Sequence, residues 1–210
     1  MKGLIKYDFM QLASGIKGGF ILLYLIVMAI MNVFSGDGNM FSYIIIFVGG
    51  MFGISAFNYE ETYHWDRFTA ALPLTNRQIV LARYGMVGIC VVLGVAASLL
   101  LGAISVIAGT MEISLYEWIL SMVQCLAIAM IYLEIMIPIM YRFGSERGRV
   151  VSLLLFLIFF SLTCVVIAFI DVSEYDVTIY SVMLALVAVA IILLPISFAI
   201  AARVRAKKEF

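Results

Sequence analysis

Apolar residues occur along the chain in six long stretches that are separated by short polar segments. A helix needs about 20 mostly apolar residues to cross the roughly 30 Å hydrocarbon layer of a bilayer. The pattern therefore predicts six transmembrane helices. We place these spans at about 18–34, 40–57, 79–108, 115–140, 150–170 and 178–202. The predicted fold class is an all-α integral membrane protein, with residues 1–210 as a single transmembrane domain.

The composition excludes a water-soluble fold of this size. Hydrophobic residues make up 65% of the 210 positions and charged residues only 12%. A soluble domain is usually about half apolar and about a quarter charged. The apolar excess is too large for the interior of a soluble domain, so much of it is expected to face lipid.

The basic residues orient the six predicted spans. Lysine and arginine are enriched in the cytoplasmic segments of membrane proteins. With the N-terminus in the cytoplasm, all 13 basic residues fall at the cytoplasmic side, and the short outer segments carry only acidic charges. The pattern therefore predicts cytoplasmic N- and C-termini. The basic residues are Lys2, Lys6, Lys17, Arg67, Arg77, Arg83, Arg142, Arg147, Arg149, Arg203, Arg205, Lys207 and Lys208.

The segment before the first span, residues 1–17, has helical periodicity. Ile5, Phe9, Leu12 and Ile16 recur at the spacing of one helix face, with polar residues elsewhere. Such a pattern predicts an amphipathic helix that lies in the membrane interface. The alternative is a disordered basic leader.

The longest cytoplasmic segment lies between the second and third spans. Trp65, Phe68 and Leu72 share one helical face, and Pro73 ends the helix because it disfavours the α conformation of the preceding residue. The segment therefore predicts a short amphipathic helix at about 60–72, which is suited to docking an apolar face against a partner. The alternative is a simple surface loop.

A helix-start signal follows that segment. Thr75 and Gln78 form the Thr-x-x-Gln pattern of a capping box, in which each side chain bonds to the backbone N–H of the other residue. We expect this box to begin the third span.

The segment EETYHWDRFTAALPLTNRQIVLARY, preceded by an amphipathic leader and two spans, resembles the permease subunits of bacterial ABC-2 transporters. The similarity lies in the acidic start, the Trp-Asp pair, the Leu-Pro turn, the hydroxyl residue and the basic residue before the third span. The matching positions are Glu60, Glu61, Trp65, Asp66, Leu72, Pro73, Thr75, Arg77 and Tyr84. By this resemblance, the 60–72 helix is a coupling helix that fits a groove of an ATPase subunit. The coupling residues it implies are Glu60, Glu61, Trp65, Asp66, Arg67, Phe68 and Leu72.

The resemblance also implies partners and a function. It predicts two copies of an ABC ATPase on the cytoplasmic face, a second permease that is identical or homologous, and surrounding lipids, but no nucleic acid. The sequence has no G-x-x-x-x-G-K-[ST] phosphate-binding loop, so ATP and Mg²⁺ would be used by the partner, with no cofactor on this chain. The implied activity is export of a lipophilic or amphipathic peptide, antibiotic or lipid across a bacterial plasma membrane.

Other functions are weighed against this one. A membrane immunity or scaffold protein and an ion-coupled secondary carrier are the alternatives, although a carrier usually places several ionisable residues at the midplane. An intramembrane enzyme is disfavoured because His64 is the only histidine and no G-x-S-x-G motif occurs. The Glu60–Glu61 pair also lacks the arginine four positions later that CAAX-type membrane proteases need, since Trp65 stands there. We therefore predict no catalytic residue and no metal ligand.

Glu134 is the only acidic residue deep within a predicted span. It lies eight residues before Arg142, which is about 12 Å along a helix. A carboxylate at such depth is costly and is a functional candidate. Arg83 lies at a comparable depth from the same side, so an Arg83–Glu134 ion pair is expected if the third and fourth spans adjoin. The pair would either fix the packing of the helices or contribute to a gate.

Small residues and prolines mark the packing of the spans. Gly94, Ser98 and Gly102 recur every four residues in the third span, which favours close approach of another helix, either within the bundle or from a second permease. Pro138 and Pro195 each remove a backbone hydrogen bond within a span and predict either hinges or static kinks.

Overall fold

In the computed structural model, the described residues are 38–62, 75–107, 109, 114–169 and 176–207, with isolated residues at 10, 23, 24, 26–28 and 30. They form four long helices: α1 (Gly38–Thr62), α2 (Asn76–Ile107), α3 (Leu115–Phe169) and α4 (Asp176–Ala206). No strand occurs within these ranges, so the all-α fold class is confirmed. The predicted interfacial helix and first span lie outside the described residues, apart from those isolated positions.

Helix α3 is a hairpin of two helical segments, 115–143 and 145–169, that meet at Gly144. This residue has φ 78° and ψ −179°, a conformation that is essentially restricted to glycine. The hydroxyl of Tyr132 donates to the carbonyl of Ser152 at 3.3 Å, although residues twenty apart in a straight helix are separated by about 30 Å. The two segments therefore run antiparallel. The sequence predicted two spans separated by residues 141–149, but both helices continue to Gly144, because one glycine suffices for the reversal.

Side-chain caps begin two of the helices. The Thr75 N–H donates to Gln78 Oε1 at 3.0 Å and the Gln78 N–H donates to Thr75 Oγ1 at 3.3 Å, so the predicted capping box is confirmed. Ser114 and Glu117 form a second box at the start of α3, with distances of 3.0 and 3.3 Å. This second Ser-x-x-Glu pattern is also readable in the sequence. Both caps fix where a membrane helix starts.

Helix α1 lies between α2 and the first segment of α3. Its glycines allow this: a Cβ on Gly49 would lie 3.0 Å from the carbonyl oxygen of Cys90, and one on Gly53 would lie 2.9 Å from the Cα of Val87. Because the α2 contacts move toward its start as α1 proceeds, the two helices are antiparallel. Helix α4 packs against α3 and, over a shorter length, against α2. Helices α2 and α3 make little direct backbone contact.

The small-residue face of α2 packs inside the chain. A Cβ on Gly94 would lie 3.2 Å from the Ile45 carbonyl oxygen, so α1 occupies that position. Ser98 is fully buried, and a Cβ on Gly102 would overlap the indole ring of Trp118 on α3. Of the two partners that the sequence left open for this face, the structure supports packing within the bundle.

Three of the helices are long and apolar enough to cross a membrane. Among the described residues these are Asn76–Ile107, Tyr116–Gly144 and Met183–Ala206, while Ile44–Ser55 is a shorter apolar helix. The outward faces of α2 and α4 carry exposed aliphatic side chains such as Leu100 and Leu184, as expected for surfaces in contact with lipid. The six-span topology and the cytoplasmic termini stay predictions.

A pair of cysteine substitutions tests the orientation. Asn76 and Tyr116 are both exposed, and they lie at the starts of α2 and α3, which the predicted topology places on opposite sides of the membrane. In a chain whose three native cysteines are replaced, a membrane-impermeant maleimide should label Tyr116→Cys in intact cells. Asn76→Cys should react only after the membrane is permeabilised. The reverse labelling pattern would show that the predicted orientation is inverted.

A matched glycine pair tests the packing of α1 on α2. Gly94→Val forces side-chain atoms into the backbone of α1, so we expect a loss of about 1–3 kcal/mol in unfolding free energy. Gly88 is on the same helix, and its Cβ would meet nothing within 4 Å. Gly88→Val should therefore change stability by less than about 0.5 kcal/mol in denaturation of the detergent-purified chain. Equal losses in the two variants would contradict the close contact.

Candidate functional site

A row of two adjacent aromatic rings with an arginine at each end lies at one end of the bundle. The Arg83 guanidinium lies over the Phe57 ring at 4.9 Å, and the Arg205 guanidinium lies over the Tyr141 ring at 5.8 Å. The two rings meet edge to face with their centroids 5.0 Å apart. All four side chains are buried, and each comes from a different helix. The row therefore joins α1, α2, α3 and α4.

The position of this row agrees with the predicted alternation of the spans. Phe57, Tyr141 and Arg205 lie near the C-terminal ends of α1, of the first α3 segment and of α4, whereas Arg83 lies near the start of α2. Helix α2 is therefore antiparallel to the other three at this end. A guanidinium over an aromatic face is stabilised by the ring quadrupole, more strongly where water is excluded. The aromatic rings thus support two buried cations.

Glu134 lies in the interior of the bundle, on the first segment of α3. Only 3% of its surface is exposed, and neither carboxylate oxygen has a hydrogen-bond partner among the described residues. An unpaired carboxylate in a membrane span is costly and is therefore a candidate functional group. Glu134 is thus enclosed by the helices, while its depth in the membrane stays a prediction.

The predicted Arg83–Glu134 ion pair is wrong for this structure. Arg83 is buried at 4% exposure, but the carboxylate of Glu134 accepts no hydrogen bond from it. The prediction assumed that the third and fourth spans adjoin, whereas α1 lies between α2 and the first segment of α3. The guanidinium of Arg83 accordingly lies over Phe57, which belongs to that intervening helix.

The backbone carbonyl of Glu134 has a partner on another helix. Ser197 Oγ donates to this carbonyl oxygen, and the Tyr84 hydroxyl lies 2.5 Å from Ser197 Oγ. Pro138 is four residues after Glu134, so it is the residue whose missing N–H would otherwise bond this carbonyl. Helix α3 continues past Pro138, and α4 likewise continues past Pro195, which is exposed.

The predicted coupling segment lies largely outside the described residues. Helix α1 runs without interruption to Thr62, so the backbones of Glu60 and Glu61 extend the second span rather than beginning a separate helix. No glycine or proline between 57 and 62 would end the helix earlier. Trp65, Asp66, Arg67, Phe68 and Leu72 fall in the part of the chain that the structure does not describe.

Several residues of this region carried no predicted role. The sequence offered one usable signal, because Pro138 implies that the carbonyl of Glu134 needs another donor. Nothing local identifies Ser197 as that donor, since it lies 63 residues away along the chain. Tyr141 and Arg205 were likewise unassigned, and only the packing of α4 on α3 brings them together.

The described part of the chain contains no group of three His, Cys, Asp or Glu residues arranged to hold a metal ion. Cys90 and Cys125 are buried on α2 and α3 and form no disulfide among the described residues. The chemistry of the region is therefore that of arginines, aromatic rings, hydroxyl groups and one carboxylate.

Comparison with known proteins identifies the family. A family model described as an ABC-2 family transporter protein matches residues 3–205, which is nearly the whole chain. Searches for similar curated proteins and for similar solved structures returned no match. The matched range includes α1 to α3, α4 up to Arg205, the buried Glu134 and the segment between α1 and α2. The chain belongs to the ABC-2 family of transporter proteins.

Proposed function

We propose that this chain is the transmembrane permease subunit of an ATP-driven exporter that moves a lipophilic or amphipathic molecule outward across a bacterial plasma membrane. The observation that carries the proposal is the family match over residues 3–205. The apolar outer faces of α2 and α4 and the buried polar groups between the helices are consistent with it. The cargo we propose is a peptide, an antibiotic or a lipid.

The energy source in this proposal is a separate ATPase. The printed sequence contains no G-x-x-x-x-G-K-[ST] loop, which is the element that holds the phosphates of ATP in such enzymes. Two ATPase copies would bind ATP and Mg²⁺ on the cytoplasmic face, and a second permease, identical or homologous, would complete the membrane unit. The chain itself would then perform no catalysis.

The segment 63–74 is the proposed contact with the ATPase. It directly connects the end of α1 to the cap of α2, and these two helices pack closely at Gly49, Gly53 and Gly94. A displacement of this connection would therefore move α1 and α2 together. For ATP to drive transport, its binding must favour one arrangement of the helices over another. The α1–α2 pair is the element on which we propose that this bias acts.

Glu134 is the residue that we assign to the substrate path. Its carboxylate lies in the bundle interior without a hydrogen-bond donor from the described residues. A cationic or hydrogen-bond-donating group of the cargo would supply that donor when the helices separate. Such an interaction stabilises the open arrangement only if it is weaker or absent in the closed one.

The coupling proposal predicts the result of a single substitution. Trp65→Ala removes the largest apolar side chain of the 63–74 segment, so the amount of ATPase that co-purifies with the permease should fall at least about tenfold, since aromatic anchors often contribute 2 kcal/mol or more to an interface. Tyr116→Ala, an exposed aromatic at the start of α3, is the control and should bind the ATPase normally. Unchanged co-purification of Trp65→Ala would contradict the docking role.

A second substitution tests the substrate path. Glu134→Gln keeps the size of the side chain but removes its charge, so cargo-stimulated ATP hydrolysis in liposomes should fall while ATPase binding is retained. Glu117→Gln is the control on the same helix, because Glu117 is exposed and glutamine also completes a capping box with Ser114. If the cargo stimulates ATP hydrolysis by the Glu134→Gln complex as strongly as by the wild type, Glu134 has no role in the substrate path.

A further inference from the structure

Pro138 leaves one backbone carbonyl of α3 without its donor within the helix, and a neighbouring helix supplies another donor. In a helix, each carbonyl accepts a hydrogen bond from the N–H four residues later, and Pro138 has no N–H to give to the carbonyl of Glu134. No water is available in the hydrocarbon layer, so such carbonyls depend on neighbouring helices. Here the donor is Ser197 Oγ of α4, a residue that is itself 5% exposed.

The direction of the hydrogen bonds follows from the number of protons. A serine hydroxyl has one proton and two acceptor sites. Because Ser197 gives its proton to the Glu134 carbonyl, the Tyr84 hydroxyl must donate to Ser197 Oγ across the 2.5 Å separation. The chain of donors therefore runs from Tyr84 through Ser197 to the Glu134 carbonyl.

The Tyr84 ring is also held by α4. It packs edge to face on Phe198, with the ring centroids 5.7 Å apart. Successive residues of α4, Ser197 and Phe198, thus contact α2, and the first of them also contacts α3. Helix α4 therefore links α2 and α3 by hydrogen bonds at the level of Glu134.

We propose that Tyr84, Ser197 and the Glu134 carbonyl form a cross-helix clasp that replaces the hydrogen bond removed by Pro138. The clasp holds α2, the first segment of α3 and α4 together. Bending α3 at Pro138 away from α4 breaks it and leaves the carbonyl without a donor. The carboxylate of Glu134 also lacks a donor among the described residues. Opening the clasp therefore exposes two acceptor groups of this residue at once, its backbone carbonyl and its carboxylate. The clasp itself does not depend on the proposed function.

A double-mutant cycle on the full-length, detergent-purified chain tests the clasp. Ser197→Ala should lower the midpoint of thermal unfolding by about 2–4 °C, the shift for a change of about 1 kcal/mol in a chain of this size. Pro138→Ala restores an N–H that can bond the Glu134 carbonyl within α3. In that background, Ser197→Ala should have less than about a third of its original effect, because interacting residues are not additive.

Two controls separate the clasp from ordinary packing. Ser197→Thr keeps the hydroxyl and should retain most of the wild-type midpoint. Ser105→Ala removes a buried hydroxyl that bonds the Leu101 carbonyl of its own helix, at 3.2 Å, so its effect should be the same with proline or alanine at position 138. An equal effect of Ser197→Ala in both backgrounds would overturn the proposal.

A second cycle avoids the proline substitution, in case Pro138→Ala does not fold. Tyr84→Phe removes the donor to Ser197 but keeps the ring that packs on Phe198. It should lower the unfolding midpoint in the wild-type chain and have little effect when combined with Ser197→Ala. Additive effects of Tyr84→Phe and Ser197→Ala would show that the two hydroxyl groups act independently, which also overturns the proposal.

Discussion

A single backbone carbonyl is the point at which hydrogen bonds connect three of the four described helices. Pro138 deprives the Glu134 carbonyl of its helical donor, in an environment where a backbone group without a partner costs several kcal/mol. Ser197 supplies the donor from α4, and Tyr84 connects the same serine to α2. The bond from Ser197 to the carbonyl connects α4 with α3, and the Tyr84 hydroxyl adds α2 as a third helix. The interaction thus joins α2 and α3, which have little direct backbone contact.

The other side of the bundle is held by close packing instead of polar groups. Glycines at 49, 53 and 94 bring the backbones of α1 and α2 together, since no side chain separates them. Close approach of this kind is effective in lipid because the hydrophobic effect does not favour one apolar partner over another there. Helix α1 is consequently interposed between α2 and α3. This placement explains why Arg83 lies over Phe57 and does not reach Glu134.

Features encoded by short sequence patterns were predictable, and those that depend on the order of helices around the bundle were not. The Thr75–Gln78 cap was correct because it involves residues three apart. Glu134 could be singled out because its position along one helix is readable in the sequence, whereas its burial depends on how the helices pack. The Arg83 pairing failed because periodicity does not say which helices are neighbours, and Ser197 was missed because its acceptor lies on a different helix. Gly144 illustrates an intermediate case, since only its backbone conformation shows that one residue reverses the chain.

The buried charges differ in how the chain accommodates them. An aromatic ring presents a negative face, which stabilises a cation and repels an anion. Phe57 and Tyr141 support Arg83 and Arg205 in this way, since each guanidinium lies over one of the two rings. No such arrangement exists for a carboxylate, which needs N–H or O–H donors. The clasp hydroxyls are already committed, since Ser197 donates to the backbone carbonyl of Glu134 and Tyr84 donates to Ser197. The backbone carbonyl of Glu134 therefore receives a hydrogen bond from the clasp, whereas its carboxylate receives none from the described residues.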